Sequence, residues 1–451
     1  MERQLTADPC NKLLTHTAVW SPDGLWVVYD TRSDEAGSAF DGCTIEVVNV
    51  VTGEQRVLYG QRGQPLSGAH VGVVTWHPRE AVVAFIQGPP HPTSNWRYGP
   101  AHRQGVTVFM AQPGIAHPID ARDLSASTPG ALRGGSHVHV WHPGLGGPFP
   151  AGGPPLPLMS FTYDDALVPG GRQVGLALTD RNVLVPPHSL VDGRPRNHPG
   201  HAFSVLATRG VAQPRPGSDD FARAFEEGWC NFGRSLAFVG EVRAADGRPV
   251  HEVFALDLPD DLADLTRAAP GQPLQGSPSD WPWPPTCLLD TTRRLTRFAD
   301  QPRHSGVSVL GVPTALGGRA VRHWLRGSPR TGEVAFLAPD GNGVLQLWLV
   351  PPGGSSAPRM LSRLPQGVSS AFNFLPGGSA IAHAAGGRLA LTDAISGATR
   401  WLHDAGHPAR AAGTVLPHCI CPSPDGRHLA YLRRLHNSPV GSFNQIFLLE
   451  I

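Results

Sequence analysis

Apolar positions along this chain come in short bursts, each set off from the next by a turn signal. The clearest burst is Leu25-Trp26-Val27-Val28-Tyr29, short for a helix and right for a fully buried β-strand. Ahead of it stands Trp20-Ser21-Pro22-Asp23-Gly24. Pro22 presets φ, Asp23 bonds its own backbone and Gly24 supplies φ > 0, which together predict a tight turn between two strands. The unit recurs. Aligned on the aromatic slot before the turn, copies fall at Trp20, Trp76, Trp141, Trp229, Gly327, Phe374 and Pro422, each followed by a burst such as Ala81-Val82-Val83-Ala84-Phe85. Seven such copies predict an all-β fold, a seven-bladed β-propeller. Its blades are expected to start near residues 14, 70, 137, 222, 321, 368 and 415.

The N-terminal run Arg3-Gln4-Leu5-Thr6 is similar to Arg294-Leu295-Thr296-Arg297 and Arg359-Met360-Leu361-Ser362, which have the look of outermost strands. An outer strand ahead of the first inner one predicts closure by the chain ends. Residues 2–6 would form the fourth strand of the last blade, beside Asn444 to Glu450, and such pairing removes a sheet edge. One stretch, Asp219 to Glu227, has a helix-like pattern with acidic residues at its start; an irregular inner strand is the alternative.

Length alone would allow several domains, but blades close into one body: the 451 residues are expected to form a single domain, 1–451, with about 64 per blade. The excess over a compact blade lies in Gly/Pro-rich loops at Pro143–Pro157, Pro186–Pro199 and Pro270–Pro285, the last carrying Trp281 to Pro285 as a lid or partner surface. A net charge of +1 without a basic block argues against nucleic acid. The N-terminus has no signal-like segment and no stretch reaches transmembrane length, so a cytoplasmic protein without membrane contact is expected. Of six cysteines, only Cys419 and Cys421 are near neighbours. They share one face of a strand, as buried thiols or as soft metal donors beside His418.

The repeat register supplies the candidate chemistry. Four residues before the anchor slot stand His16, His137, His323 and His418. The strand entering such a turn is usually the innermost one, so equivalent positions form a ring around the channel. Imidazoles converging on one point suit a divalent Mn, Fe, Ni or Zn; the alternative is four structural histidines bonded to neighbouring strands. Strand alternation places His139 on the same side as His137, as a further ligand or general base. Arg133, Arg322 and Arg326 are candidates for holding a carboxylate or phosphate, because guanidinium matches those anions bidentately; the alternative for each is a salt bridge to Asp or Glu. Arg133 is the expected catalytic partner of His139. Tyr163, Asp164 and Asp165 would bond substrate hydroxyls or else form a solvated turn, and Trp324 would stack on a sugar face or, as is commoner, pack in the core. No G-x-S-x-G elbow and no P-loop motif occurs.

The runs WSPDGLWVVYDTR (20–32), PGALRGGSHVH (129–139), FTYDDAL (161–167), PGSDD (216–220), EVFALDLP (252–259), RHWLRGSP (322–329) and NQIF (444–447) resemble the YidR-like bacterial propellers, a family of unknown function. That family is distantly similar to TolB-type propellers and to oligogalacturonate lyases. In those lyases a seven-bladed propeller holds a divalent metal on channel histidines and cleaves an acidic sugar chain by β-elimination. The resemblance implies a metal-dependent, lyase-like enzyme acting on an anionic oligosaccharide. A non-catalytic, TolB-like propeller that binds another protein is the alternative.

Overall fold

The computed structural model describes the chain except residues 17, 35, 38, 61, 63–69, 126–127, 145–155, 167–169, 187–189, 192, 268–290, 310–320, 403–414 and 439–440. The Trp281–Pro285 run and Cys287 lie outside the described residues. Seven four-stranded antiparallel sheets follow one another along the chain, and the molecule is the expected seven-bladed β-propeller. Innermost strands begin at Asn11, Val71, Gly135, Phe221, Arg326, Asn373 and Cys421.

The turn chemistry works as the sequence predicts. Gly24 has φ 69°, the backbone N–H of Leu25 donates to Asp23 Oδ1 at 3.0 Å, and that of Trp26 donates to Ser21 Oγ at 2.9 Å. The second SPDG copy repeats the arrangement at Ser423, Asp425 and Gly426, with φ 71° at the glycine. Closure also follows expectation. Glu2–Gln4 pairs antiparallel with Gly441–Glu450, Glu2 opposite Leu449 and Gln4 opposite Phe447. Leu5 N–H donates to Ile446 O at 2.8 Å, and Glu2 Oε1 meets Arg433 Nε at 3.0 Å.

The stretch from Asp219 to Glu227 is not a helix. Phe221–Cys230 is the innermost strand of the fourth blade, with two register shifts. Its Phe221 packs edge-on against Phe238 and Phe254 of the next two strands, and that burial outweighs the local helical pattern, each such ring being worth roughly 1.5–3 kcal/mol. The largest core cluster runs on from these rings between the third, fourth and fifth blades. Among the described residues the one α-helix is Ala263–Arg267, and no helix is long and apolar enough to cross a membrane.

Candidate functional site

Three innermost strands break their alternation in the same slot. Val73, Val138 and Glu226 stand three residues before Trp76, Trp141 and Trp229, with φ of 57°, 56° and 53°. At each the ladder skips, between Gly72 and Thr75, His137 and Val140, and Phe225 and Gly228. A β-branched residue seldom adopts this left-handed region, at a cost of about 1–3 kcal/mol, so the packing around each bulge must hold it there. The residues concerned do pack. Val73, Val138 and, from the same slot of the fifth blade, Trp324 form one apolar cluster with Ile86. Side chains from the second, third and fifth blades meet only across the axis, so this cluster plugs the channel. His16 adds to it edge-on, its ring 5.2 Å from that of Trp324.

The four histidines do not converge on one metal-holding point, and only His137 stands beside one of these bulges. His323 uses both ring nitrogens inside the fold. Its Nε2 accepts the N–H of Leu337 at 3.0 Å, which makes Nδ1 the donor to Val321 O at 3.3 Å. Burial lowers its pKa to about 3. His137 Nδ1 lies 2.9 Å from Arg103 Nη2; burial first, then Arg103, Arg172 and Arg322, hold it well below the ordinary value. His418 stands beside Arg32 and Asp34, its pKa lowered to about 4 mainly by burial. His16 is lowered by burial and by Arg326 and Arg322. No group of three or more His, Cys, Asp or Glu among the described residues is arranged to hold a metal ion. The expected histidine set therefore does not fit a shared divalent metal. Cys419 and Cys421 are free and buried, their thiols facing the Thr15 and His16 carbonyls at 3.3 Å.

Nor does His139 share a face with His137, because the bulge falls between them. Its Nε2 bonds Asp120 Oδ2 at 2.9 Å and its ring stacks on Phe161. The ring also fills the space over Gly105, where a Cβ would come within 2.1 Å of it. Arg133 is equally committed: Nε and Nη2 donate to Asp165 at 2.8–3.1 Å, Tyr163 Oη donates to the same carboxylate at 2.9 Å, and Gly134 N–H donates to Tyr163 Oη at 3.0 Å. The pair Arg133 and Tyr163 builds the approach to the third blade and offers nothing to a ligand.

What the structure does bring together lies on either side of the plug. On one side Arg32, Arg103, Arg172 and Arg322 surround Asp30, Asp164 and Glu226. Arg103 and Arg172 share Asp164, at 3.2 and 3.0 Å, and Arg32 pairs with Asp30. Arg322 lies over the Trp324 ring at 4.7 Å, with Nε 3.6 Å from Glu226 Oε1. Its side chain is 36% exposed, against 22%, 9% and 2% for Arg172, Arg103 and Arg32, so it is the open cation of this mouth. Burial pushes Glu226 up to about 7 against the pull of Arg322 and Arg172. Its Oε2 has no hydrogen-bond partner among the described residues. Glu226 was hidden in the sequence by its helix-like surroundings, although it occupies the slot next to the histidine register.

On the other side the anchor residues of all seven blades line a cavity of about 360 Å3, with Arg326, Glu227 and His16 among the lining residues. Arg326 thus sits apart from Arg322, and Trp324, buried between them, has no open face for a sugar.

A family model described as "Protein of unknown function (DUF3748)" matches residues 70–201. Uncharacterized protein YidR of Escherichia coli (strain K12) is 38% identical over 437 residues, 95% of this chain and 94% of that protein. A TolB-type protein of Agrobacterium tumefaciens is similar in structure at TM-score 0.39 and 14% identity, over 90% of this chain and 98% of the other. An oligogalacturonate lyase in complex with manganese is similar at TM-score 0.47 and 11% identity, over 100% and 93%. On the identity and extent of the YidR match, the chain belongs to the YidR family.

Proposed function

We propose that the chain carries out acid–base chemistry on an organic anion at the arginine-lined mouth, as a lyase acting on an acidic oligosaccharide does. The observation that carries this is the pairing of Arg322 with Glu226: an open guanidinium 3.6 Å from a buried carboxyl whose second oxygen has no partner. A carboxyl at about 7 is half ionised at neutral pH and serves as base and acid in turn. A uronate is the substrate class that uses both groups. Arg322 takes its carboxylate bidentately, which acidifies the adjacent C–H. Glu226 removes that proton, the electron pair forms the C=C bond, and the C–O bond to the leaving sugar breaks. The proton on Glu226 then passes to the leaving oxygen, so the carboxyl is regenerated and charge balances. Arg103 and Arg172 keep the mouth positive and its carboxylate Asp164 neutralised, which favours the anion before and during reaction.

The experiment is turnover of a panel of uronate oligosaccharides, oligogalacturonate first, followed by the ultraviolet absorbance of the unsaturated product. Glu226→Gln is expected to lower kcat by about 100-fold or more with KM little changed. Arg322→Gln should chiefly raise KM. Full activity in Glu226→Gln overturns the assignment of the proton to that residue. Neither turnover nor binding of any uronate would sink the reading and favour a propeller that binds another protein.

A further inference from the structure

The cavity at the opposite end of the channel is unused by the mouth reaction. Its walls are the anchor residues of the repeat, and five of these are aromatic: Trp20, Trp76, Trp141, Trp229 and Phe374. Two of the indoles are locked from behind, Trp20 by donating to Cys421 O at 3.0 Å and Trp229 to Val140 O at 3.2 Å. The other two behave differently. Nε1 of Trp76 and Nε1 of Trp141 are buried with no hydrogen-bond partner among the described residues.

The floor has the same property. Arg326 donates from Nε to Asn373 Oδ1 and from Nη1 to Leu325 O, both at 3.0 Å, and lies against the Cys419 thiol, while its Nη2 has no nitrogen or oxygen partner among the described residues. Glu227 accepts Thr162 Oγ1 at 2.8 Å on one oxygen and has none on the other. Buried polar groups are rarely left unmade, because each costs about 1–3 kcal/mol. Four such groups belong to residues that line one cavity, and three of them are N–H donors that a modest side-chain shift would turn towards a ligand. Burial holds the Glu227 carboxyl up at about 7, so near neutral pH it also offers an O–H, while the Arg326 guanidinium keeps its charge. The matching ligand end is an anionic acceptor. Against tryptophan and proline walls the matching body is apolar, since a hydroxyl-rich sugar would find few partners there, and a cation would be repelled by Arg326.

We propose that this cavity is a second ligand site, for a small carboxylate with an aromatic or aliphatic body, its carboxylate on Arg326 and its body between the indoles. It goes beyond the mouth reading and is independent of it, since the Trp324 plug separates the two ends. About 360 Å3 falls in the range of small-molecule sites.

The test is titration of the full chain with hydrocinnamate, indole-3-acetate and octanoate, each beside its neutral amide, by calorimetry and by tryptophan fluorescence. Saturable binding of at least one carboxylate is expected, with its amide at least tenfold weaker. Arg326→Gln should weaken the carboxylate by about 10- to 100-fold and leave the amide unchanged. Trp141→Ala, at a partly exposed rim position and so a safe second variant, should weaken both by at least fivefold. Glu226→Gln, at the other end, should change neither. Equal binding of acid and amide, no saturable binding of any probe, or unchanged affinity in Trp141→Ala overturns the proposal. None of these results bears on turnover of uronates at the mouth.

Discussion

The indole of Trp324 meets the imidazole of His16 edge-on with ring centroids 5.2 Å apart, although the two residues belong to the fifth and first blades. The contact spans the channel, and together with Val73 and Val138 it separates the arginine-lined mouth from the tryptophan-walled cavity. Trp324→Ala should therefore cost about 3–5 kcal/mol, as expected when a large buried aromatic is truncated. Urea unfolding monitored by circular dichroism measures it. A loss below about 1 kcal/mol would mean that the plug is not packed.

His323 predicts an acid-sensitive fifth blade. Its folded pKa of about 3 lies below the ordinary 6.5, so between those values the unfolded chain binds the extra proton. The contribution of this group is complete above pH 6.5 and is lost as pH falls towards 3, at about 1.4 kcal/mol per unit. His323→Gln should be less stable than wild type at pH 7, and the gap should shrink by about 2–3 kcal/mol on going to pH 4.5. A gap independent of pH would show that His323 is not held neutral.

Arg133→Ala should act on stability rather than on ligand affinity. Its guanidinium is bound to Asp165 by three hydrogen bonds at buried positions, and removing one partner of such a pair leaves the other charge stranded at about 3–5 kcal/mol. The double variant Arg133→Leu with Asp165→Leu should recover part of the loss. Denaturation of the single and double variants decides it; recovery of none would place the residue's role elsewhere.

Much of the architecture was legible in the sequence because turn chemistry is local. Ser21, Asp23 and Gly24 announce their turn, Ser423, Asp425 and Gly426 repeat it, and equal spacing then gives the blades. Closure was legible because Arg3-Gln4-Leu5-Thr6 repeats a pattern found in other outer strands. The site was not, for a physical reason. Nothing about a valine advertises φ near +56°, and the bulges at Val73 and Val138 exist only because the packed channel imposes them. The bulge at Val138 reverses which neighbour faces the axis, so strict alternation wrongly puts His139 beside His137, while His323 is taken up by Val321 and Leu337, partners that repeat spacing does not reveal. Arg133 failed differently: its partner Asp165 is 32 residues away, and sequence spacing cannot say that a cation is already matched.

Removal of residues 1–6 should lower stability markedly and promote association. The segment supplies three ladder pairs, the buried Leu5, the Thr6 Oγ1 that accepts Ile446 N–H, and the Glu2–Arg433 ion pair. Without it Gly441–Glu450 becomes an open edge. Thermal unfolding and size-exclusion chromatography check this; an unchanged melting temperature with a monomeric profile would show that the first strand is dispensable.

The same pairing sets an order of events during synthesis. Residues 2–4 leave the ribosome long before residues 447–449 exist, and the ladder between them spans nearly the whole chain, the costliest kind of contact to form. Six blades can be made while residues 2–4 have no strand to pair with. For that interval the nascent protein is an open arc whose two end blades each lack a neighbour on one apolar face, and its exposure to aggregation or to chaperones is set by the time needed to translate the last blade. The circle is completed only when the end of the chain reaches back to its beginning.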